Sequence, residues 1–252
     1  TITDSLNATI SYAGPYCQTG TASVNLEGLG SLGTFTNSPG LIINSIGTIN
    51  LELSSPGDYI VTNSLAAVAG CSSTSDTAVV SIIASDDSTY SYPAGPYCID
   101  GGFLDTLNVA TPGGSFSSNN GLIIDPNSGT INLTSSGLGN FTISYTTNGI
   151  CPISSDIDIS ILDSDDASFA LTDYCEGSSN GASSVITLGG EFSFTNVVTD
   201  GAIINSTTGE ITNGVAGTTY DVTYTTNGVC VSSLIQNVLI YSTPSTGPIF
   251  HN

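Results

Sequence analysis

The sequence has no lysine and no arginine, and against that absence stand 21 aspartates and glutamates, a formal net charge of −21 at pH 7. Soluble domains ordinarily carry about 25% charged residues of both signs, so losing every cation excludes whole classes of function. Nucleic-acid binding needs Lys and Arg to neutralise phosphate, and a P-loop needs its Lys. Anchoring to anionic lipid through a polybasic segment is excluded for the same reason. No apolar run approaches the roughly 20 residues of a membrane span. Tryptophan and methionine are missing too. Without Met, Thr1 is read as a processed start, an export signal having been removed. The single histidine, His251, lies next to the C-terminus, where no third group can bury and orient it as a catalytic triad requires. A glycosidase needs only two carboxylates, but small similar repeats offer no unique large cleft. The chain reads as non-enzymatic, with no catalytic residues.

Without cations no side-chain salt bridge can form. Each carboxylate is therefore expected to be solvated, hydrogen-bonded to backbone or hydroxyl, or paired with a metal ion, and oxygen ligands favour calcium. Hydrophobic residues make up 39% of the chain, enough for compact cores rather than disorder. Six cysteines in a Gly-, Ser-, Thr- and Asn-rich chain point to an oxidising compartment, hence a secreted, extracellular or cell-surface protein. No C-x-x-C pair supports structural zinc.

Self-comparison reveals three repeats. Cysteines fall at 17 and 71, 98 and 151, and 175 and 230, with separations of 54, 53 and 55. The first of each pair follows Gly14-Pro15-Tyr16, Gly95-Pro96-Tyr97 or the looser Thr172-Asp173-Tyr174. Landmarks then recur in order. Gly33-Thr34-Phe35, Gly114-Ser115-Phe116 and Gly190-Glu191-Phe192 precede Gly40-Leu41-Ile42-Ile43, Gly121-Leu122-Ile123-Ile124 and Gly201-Ala202-Ile203-Ile204. Next come Gly47-Thr48-Ile49-Asn50-Leu51, Gly129-Thr130-Ile131-Asn132-Leu133 and Gly209-Glu210-Ile211-Thr212. Repeats two and three reach their second cysteine through Tyr145-Thr146-Thr147-Asn148-Gly149-Ile150 and Tyr224-Thr225-Thr226-Asn227-Gly228-Val229, whereas Asn63 to Gly70 replaces that approach in repeat one.

These short β-branched and aromatic segments, broken every 8 to 12 residues or so by turn residues, are the pattern of a β-sandwich. Ile157, Ile159 and Ile161 alternate with Asp156, Asp158 and Ser160, predicting a half-buried strand. The expected fold is all-β: three tandem immunoglobulin-like β-sandwich domains, each with one intradomain disulfide. The units span 1–84 (with an N-terminal strand or linker, 1–12), 85–163 and 164–241, followed by a tail, 242–252. Pairing Cys17 with Cys71, Cys98 with Cys151 and Cys175 with Cys230 follows from the repeat, although six cysteines allow fifteen connectivities. A loop of over 50 residues so closed adds about 4 kcal/mol by loop entropy. Tyr16, Tyr97 and Tyr174 suit packing against those bonds.

The run G-x-F, G-L-I-I-N/D, G-T-I-N-L, G-x-Y/F and Y-T-T-N-G-x-C resembles the Ig-like or PKD-like tandem repeats of large secreted adhesins and surface proteins of gliding bacteria. It covers nearly the whole chain, repeats two and three best. That resemblance implies an extracellular fibre or adhesive stalk without a particular ligand.

Acidic linkers lie between repeats, with Asp86 and Asp87 in one and Asp163, Asp165 and Asp166 in the other. They are candidate interdomain calcium sites, or else solvated hinges. Thr1, Ile2 and Thr3 look like the end of a preceding strand, and Ile249 and Phe250 are apolar residues of the tail. Both ends suit strand addition to another copy, and a contact that does not close on itself propagates as a fibre. The expected partners are copies of the same chain, head to tail, or flanking repeats of a longer one; the ends are otherwise simple joins in an array. N-glycan sequons occur at Asn7, Asn132, Asn140 and Asn205. An Asp-Ser/Thr pattern resembling the O-glycan acceptor of the same bacterial group marks Ser5, Thr77, Ser88 and Thr106. The alternative function is an adhesive or carbohydrate-binding stalk segment of a larger adhesin, which needs exposed aromatics; the 11 tyrosines are the candidates and glycans the possible ligands.

Overall fold

The computed structural model describes residues 5–68, 70–178, 180–245 and 247. Buried apolar side chains gather into three separate clusters, drawn from residues 10–82, 90–161 and 167–240. The chain is all-β, three sandwich units in tandem. In each, a long antiparallel hairpin forms the centre of a four-stranded sheet. The hairpins are Gly57–Leu65 with Thr74–Ile83, Gly139–Thr146 with Ser154–Leu162, and Thr219–Thr225 with Ser233–Tyr241. The G-x-F strands Thr34–Asn37, Ser115–Ser118 and Glu191–Phe194 add to the first hairpin strand. Each Tyr-Cys pair runs parallel to the end of the second: Cys17 opposite Ile83, Cys98 opposite Leu162, Cys175 opposite Tyr241.

Period-two alternation selects the buried face. Along Gly57–Leu65 every second residue is buried, namely Tyr59, Val61, Asn63 and Leu65; in unit two Ile159 and Ile161 are buried and Ile157 packs against the same cluster. Short ribbons supply the second layer, among them Ile10–Ser11 with Asn25–Leu26 and Phe103–Leu104 with Ile131–Asn132. The turn after each Ile-Ile segment is held by one acceptor. Asn44 Oδ1 takes the amides of Ile46 and Thr48, Asp125 Oδ1 those of Asn127 and Ser128, and Asn205 Oδ1 those of Thr207 and Thr208, the side chain standing in for a backbone turn.

The carboxylates find hydroxyls and amides in place of cations. Across the unit-two hairpin, Ser144 donates to Asp156 at 2.6 Å and Thr142 to Asp158 at 2.7 Å. Thr130 donates to Asp105, and Tyr220 to Asp200.

The intradomain disulfides expected from the repeat do not form. The bonds are Cys17–Cys151 and Cys98–Cys230, each joining one unit to the next. The reason is geometric. The first cysteine of a unit lies beside the end of its last strand, whereas the second lies in the loop at the far end of the central hairpin. Seven residue steps along Gly139–Thr146 separate those ends by roughly 23 Å, and bonded cysteines need Cα atoms within about 7 Å. Tyr16, Tyr97 and Tyr174 consequently pack on the three cores, on the opposite side of the strand from the neighbouring sulfur.

Candidate functional site: the junctions between units

The two junctions are built alike, each held by a disulfide and by hydrogen bonds from the linker to the hairpin loop of the following unit. At the first, Cys17 and Cys151 bring their Cα atoms to 5.4 Å; at the second, Cys98 and Cys230 to 5.5 Å. The amide after each first cysteine bonds the last strand, Gln18 N to Ile83 O at 3.0 Å and Ile99 N to Leu162 O at 2.9 Å. The linker then meets the hairpin loop of the following unit. Asp86 N donates to Cys151 O at 3.0 Å, and Asp165 N to Cys230 O at 2.8 Å. Their carboxylates accept from that same loop, Gly149 N to Asp86 Oδ2 at 2.9 Å and Gly228 N to Asp165 Oδ2 at 3.0 Å. This explains the Tyr-Thr-Thr-Asn-Gly-x-Cys motif. A Cβ on Gly149 would lie 2.4 Å from the Asp86 carboxylate, and one on Gly228 2.3 Å from that of Asp165. The motif glycines admit the linker carboxylate.

Closing loops of 134 and 132 residues contributes about 5 kcal/mol each by loop entropy. The loops overlap between residues 98 and 151, so the two contributions are not additive.

The five linker aspartates proposed as calcium ligands are already engaged by the protein. Asp86 and Asp165 hold the loop glycines. Asp87 Oδ1 accepts from Thr89 N, Asp166 Oδ1 from Ser168 N and Asp163 Oδ1 from Ser164 N. Hydrogen bonds from Thr89 and Ser168 hold Asp87 and Asp166 below the ordinary carboxylate range. Among the described residues no three His, Cys, Asp or Glu side chains converge as a metal cluster.

The glycan candidates divide by exposure. Ser5, Thr77, Asn140 and Asn205 are exposed. Ser88 is buried, only 7% exposed, because its alternation with Tyr90 turns it inward; its hydroxyl is not presented for modification in the folded chain. Asn132 caps the short helix Leu133–Ser136 through Ser135 N, Asn7 Nδ2 donates to Glu27 O, and Thr106 donates to Ser128 O. Of the 11 tyrosines Tyr241 is exposed, Tyr12, Tyr16, Tyr97 and Tyr174 are half-buried, and the other six are buried. Thr1, Ile2, Thr3, Ile249, Phe250 and His251 lie outside the described residues.

Sequence reasoning found the junction carboxylates but not the loop amides they bind, nor the offset of the disulfides. The signal was the glycine two residues before the cysteine in repeats two and three, absent from repeat one.

No protein-family model matches the chain, and no curated protein sequence matches it. Similar solved structures include Drosophila OTK extracellular domains 3–5, with TM-score 0.34 and 12% identity over 95% of this chain and 100% of that one. Mouse cadherin-23 EC22-24 gives 0.28 and 14% over 95% and 96%. Protocadherin gamma B2 cadherin domains 1–5 give 0.27 and 14%, with 90% of this chain spanning 56% of that segment. Likenesses this distant leave function to be argued from the chain's own residues.

Proposed function

We propose that this chain is a non-enzymatic extracellular structural protein, a protomer of a surface fibre assembled head to tail. The observation carrying this reading is that both disulfides tie successive units together. A bond inside a unit protects that unit. A bond between units fixes their relative orientation and carries tension past the linker, as a load-bearing rod requires and a flexible tether does not. The charge inventory agrees with exposure to the outside. With no Lys or Arg, trypsin-like proteases have no cleavage site, and the carboxylates rest on hydroxyls and amides that salt does not screen away as it does surface ion pairs.

Assembly in this reading uses the two ends: residues 1–3 add as a strand to a neighbouring copy, and Ile249 and Phe250 pack against it. Glycans on Asn140, Asn205, Ser5 and Thr77 hydrate the surface. Electron microscopy of the purified chain, beside a variant lacking residues 1–12, tests the proposal. Filaments from the intact chain that vanish in the truncated one support it; monodisperse monomers from the intact chain contradict it.

A further inference from the structure

Both disulfides join different units, and their spans interlock. Cys98 lies between Cys17 and Cys151, and Cys151 lies between Cys98 and Cys230. The first bond therefore merges residues 17 and 151 into one covalent node, and the second merges 98 and 230 into another. Three stretches of chain connect those nodes, residues 17–98, 98–151 and 151–230, with lengths of 81, 53 and 79 residues. They run in parallel. A pull from outside Cys17 and Cys230 is divided among them, and extension stops when the shortest, within unit two, is taut. The folded state offers a matching route. Cys151 lies three residues before the strand Ser154–Leu162, whose end pairs in parallel with Tyr97–Cys98. Cys230 likewise lies three residues before Ser233–Tyr241. Load entering at Cys17 thus crosses to one last strand, passes along it to Cys98, and crosses to the next. These strands pair with their hairpin partners at eight and seven positions. Antiparallel hydrogen bonds stand perpendicular to the strands, so a lengthwise pull stresses the whole set together instead of opening it one bond at a time.

We propose that the interlocked bonds make the chain a strain limiter, in which unit two sets the greatest extension and units one and three cannot be fully drawn out while both bonds hold. The proposal rests on the load-bearing reading above and is independent of how copies join. Bonds within units do not act in this way. Each of those shortens its own unit alone, so their effects on length add. Two interlocked bonds act jointly. With either one opened, the other still closes off 134 or 132 residues, so most of the chain stays out of the line of force. At about 3.5 Å per extended residue, opening one bond frees roughly 90 Å of chain and opening both frees roughly 550 Å.

The test is single-molecule stretching of the full chain, held by tags fused before residue 1 and after residue 252, with the fully extended length as the readout. That length depends on covalent connectivity and not on whether a variant folds. Cys17→Ser with Cys151→Ser should lengthen the chain by about 90 Å, Cys98→Ser with Cys230→Ser by about the same, and all four substitutions together by about 550 Å. Pairwise gains of about 370 Å, which bonds within units would give, overturn the proposal. So does an unsubstituted chain that reaches the length of the fourfold variant without reductant. Electron microscopy of the same chain separates this proposal from the fibre. Filaments from a chain with the larger pairwise gains overturn the limiter and leave head-to-tail assembly standing. The smaller gains in a chain that stays monomeric support the limiter and contradict the fibre.

Discussion

Unit one and its two successors solve the same packing problem with different residues. In units two and three an aromatic trio fills the core near the junction: Tyr90, Phe116 and Tyr145 in one, Phe169, Phe192 and Tyr224 in the other, with ring centroids 4.4 to 5.9 Å apart. The inner tyrosine also has a polar task. Tyr145 accepts from Gly114 N and donates to Thr111 O; Tyr224 accepts from Gly190 N and donates to Thr187 O. Unit one has Asn63 in that register. Fully buried, it accepts from Gly33 N at 2.7 Å and donates to Ala8 O and Ser31 O at 3.0 and 2.9 Å. The obligation to satisfy buried backbone groups persists, whereas the side chain meeting it is free to change. All three positions face a glycine for one reason: a Cβ on Gly33, Gly114 or Gly190 would stand 2.1 to 2.2 Å from the carbonyl opposite.

The comparison can be broken at several points, and the largest effect is expected in the aromatic units. Tyr145→Ala should cost about 3–5 kcal/mol through cavity formation and lost ring contacts. Asn63→Ala should cost about 1–3 kcal/mol, mainly by orphaning Gly33 N, Ala8 O and Ser31 O. Hydrogen exchange resolved by unit separates the two; equal losses would mean that the asparagine carries as much packing as the tyrosine. Next, Gly149→Ala should destabilise the first junction by about 1–3 kcal/mol through overpacking against Asp86. Adding Asp86→Ala should recover part of that loss, a non-additivity that a double-mutant cycle measures. Simple additivity would show that the close approach is not the cause.

Smaller again is Asp86→Asn or Asp165→Asn. Each weakens one charge-assisted bond to a loop amide and should cost about 0.5–1.5 kcal/mol, read as faster exchange of the Gly149 or Gly228 amide. The smallest effect separates unit one by pH. Asp87 and Asp166 titrate below the usual aspartate range because Thr89 and Ser168 bond them. Their stabilisation is therefore complete above about pH 4 and is lost as pH falls through their depressed values. Unit one places Asn7 on Thr9 N in the same turn, and an amide does not titrate. Amide NMR should show Thr89 and Ser168 shifting in acid while Thr9 stays still.

Much of this architecture is legible in the chain alone. The repeat, the β class and the alternating Ile157, Ile159 and Ile161 follow from local pattern, and the hydroxyl and amide partners of the aspartates follow from the missing cations. The disulfide offset is not legible in the spacing. Three cysteine pairs at constant separation recur at the same intervals whichever register bonds them, and only the parallel placement of each Tyr-Cys pair beside the last strand reveals that the two cysteines of a unit lie at opposite ends. Ser88 was misplaced similarly, since an Asp-Ser pattern carries no information about which face of the chain turns inward. Among the linker aspartates, Asp86 and Asp165 have partners that local pattern does not show, the backbone amides of Gly149 and Gly228 lying 63 residues away in sequence, whereas Asp87, Asp163 and Asp166 bond amides one or two residues on.

The most direct measurement is a disulfide map of the native chain, cut with chymotrypsin under non-reducing conditions and sequenced by mass spectrometry. The account predicts peptides linking Cys17 to Cys151 and Cys98 to Cys230. Links from Cys17 to Cys71 or from Cys98 to Cys151 would contradict it.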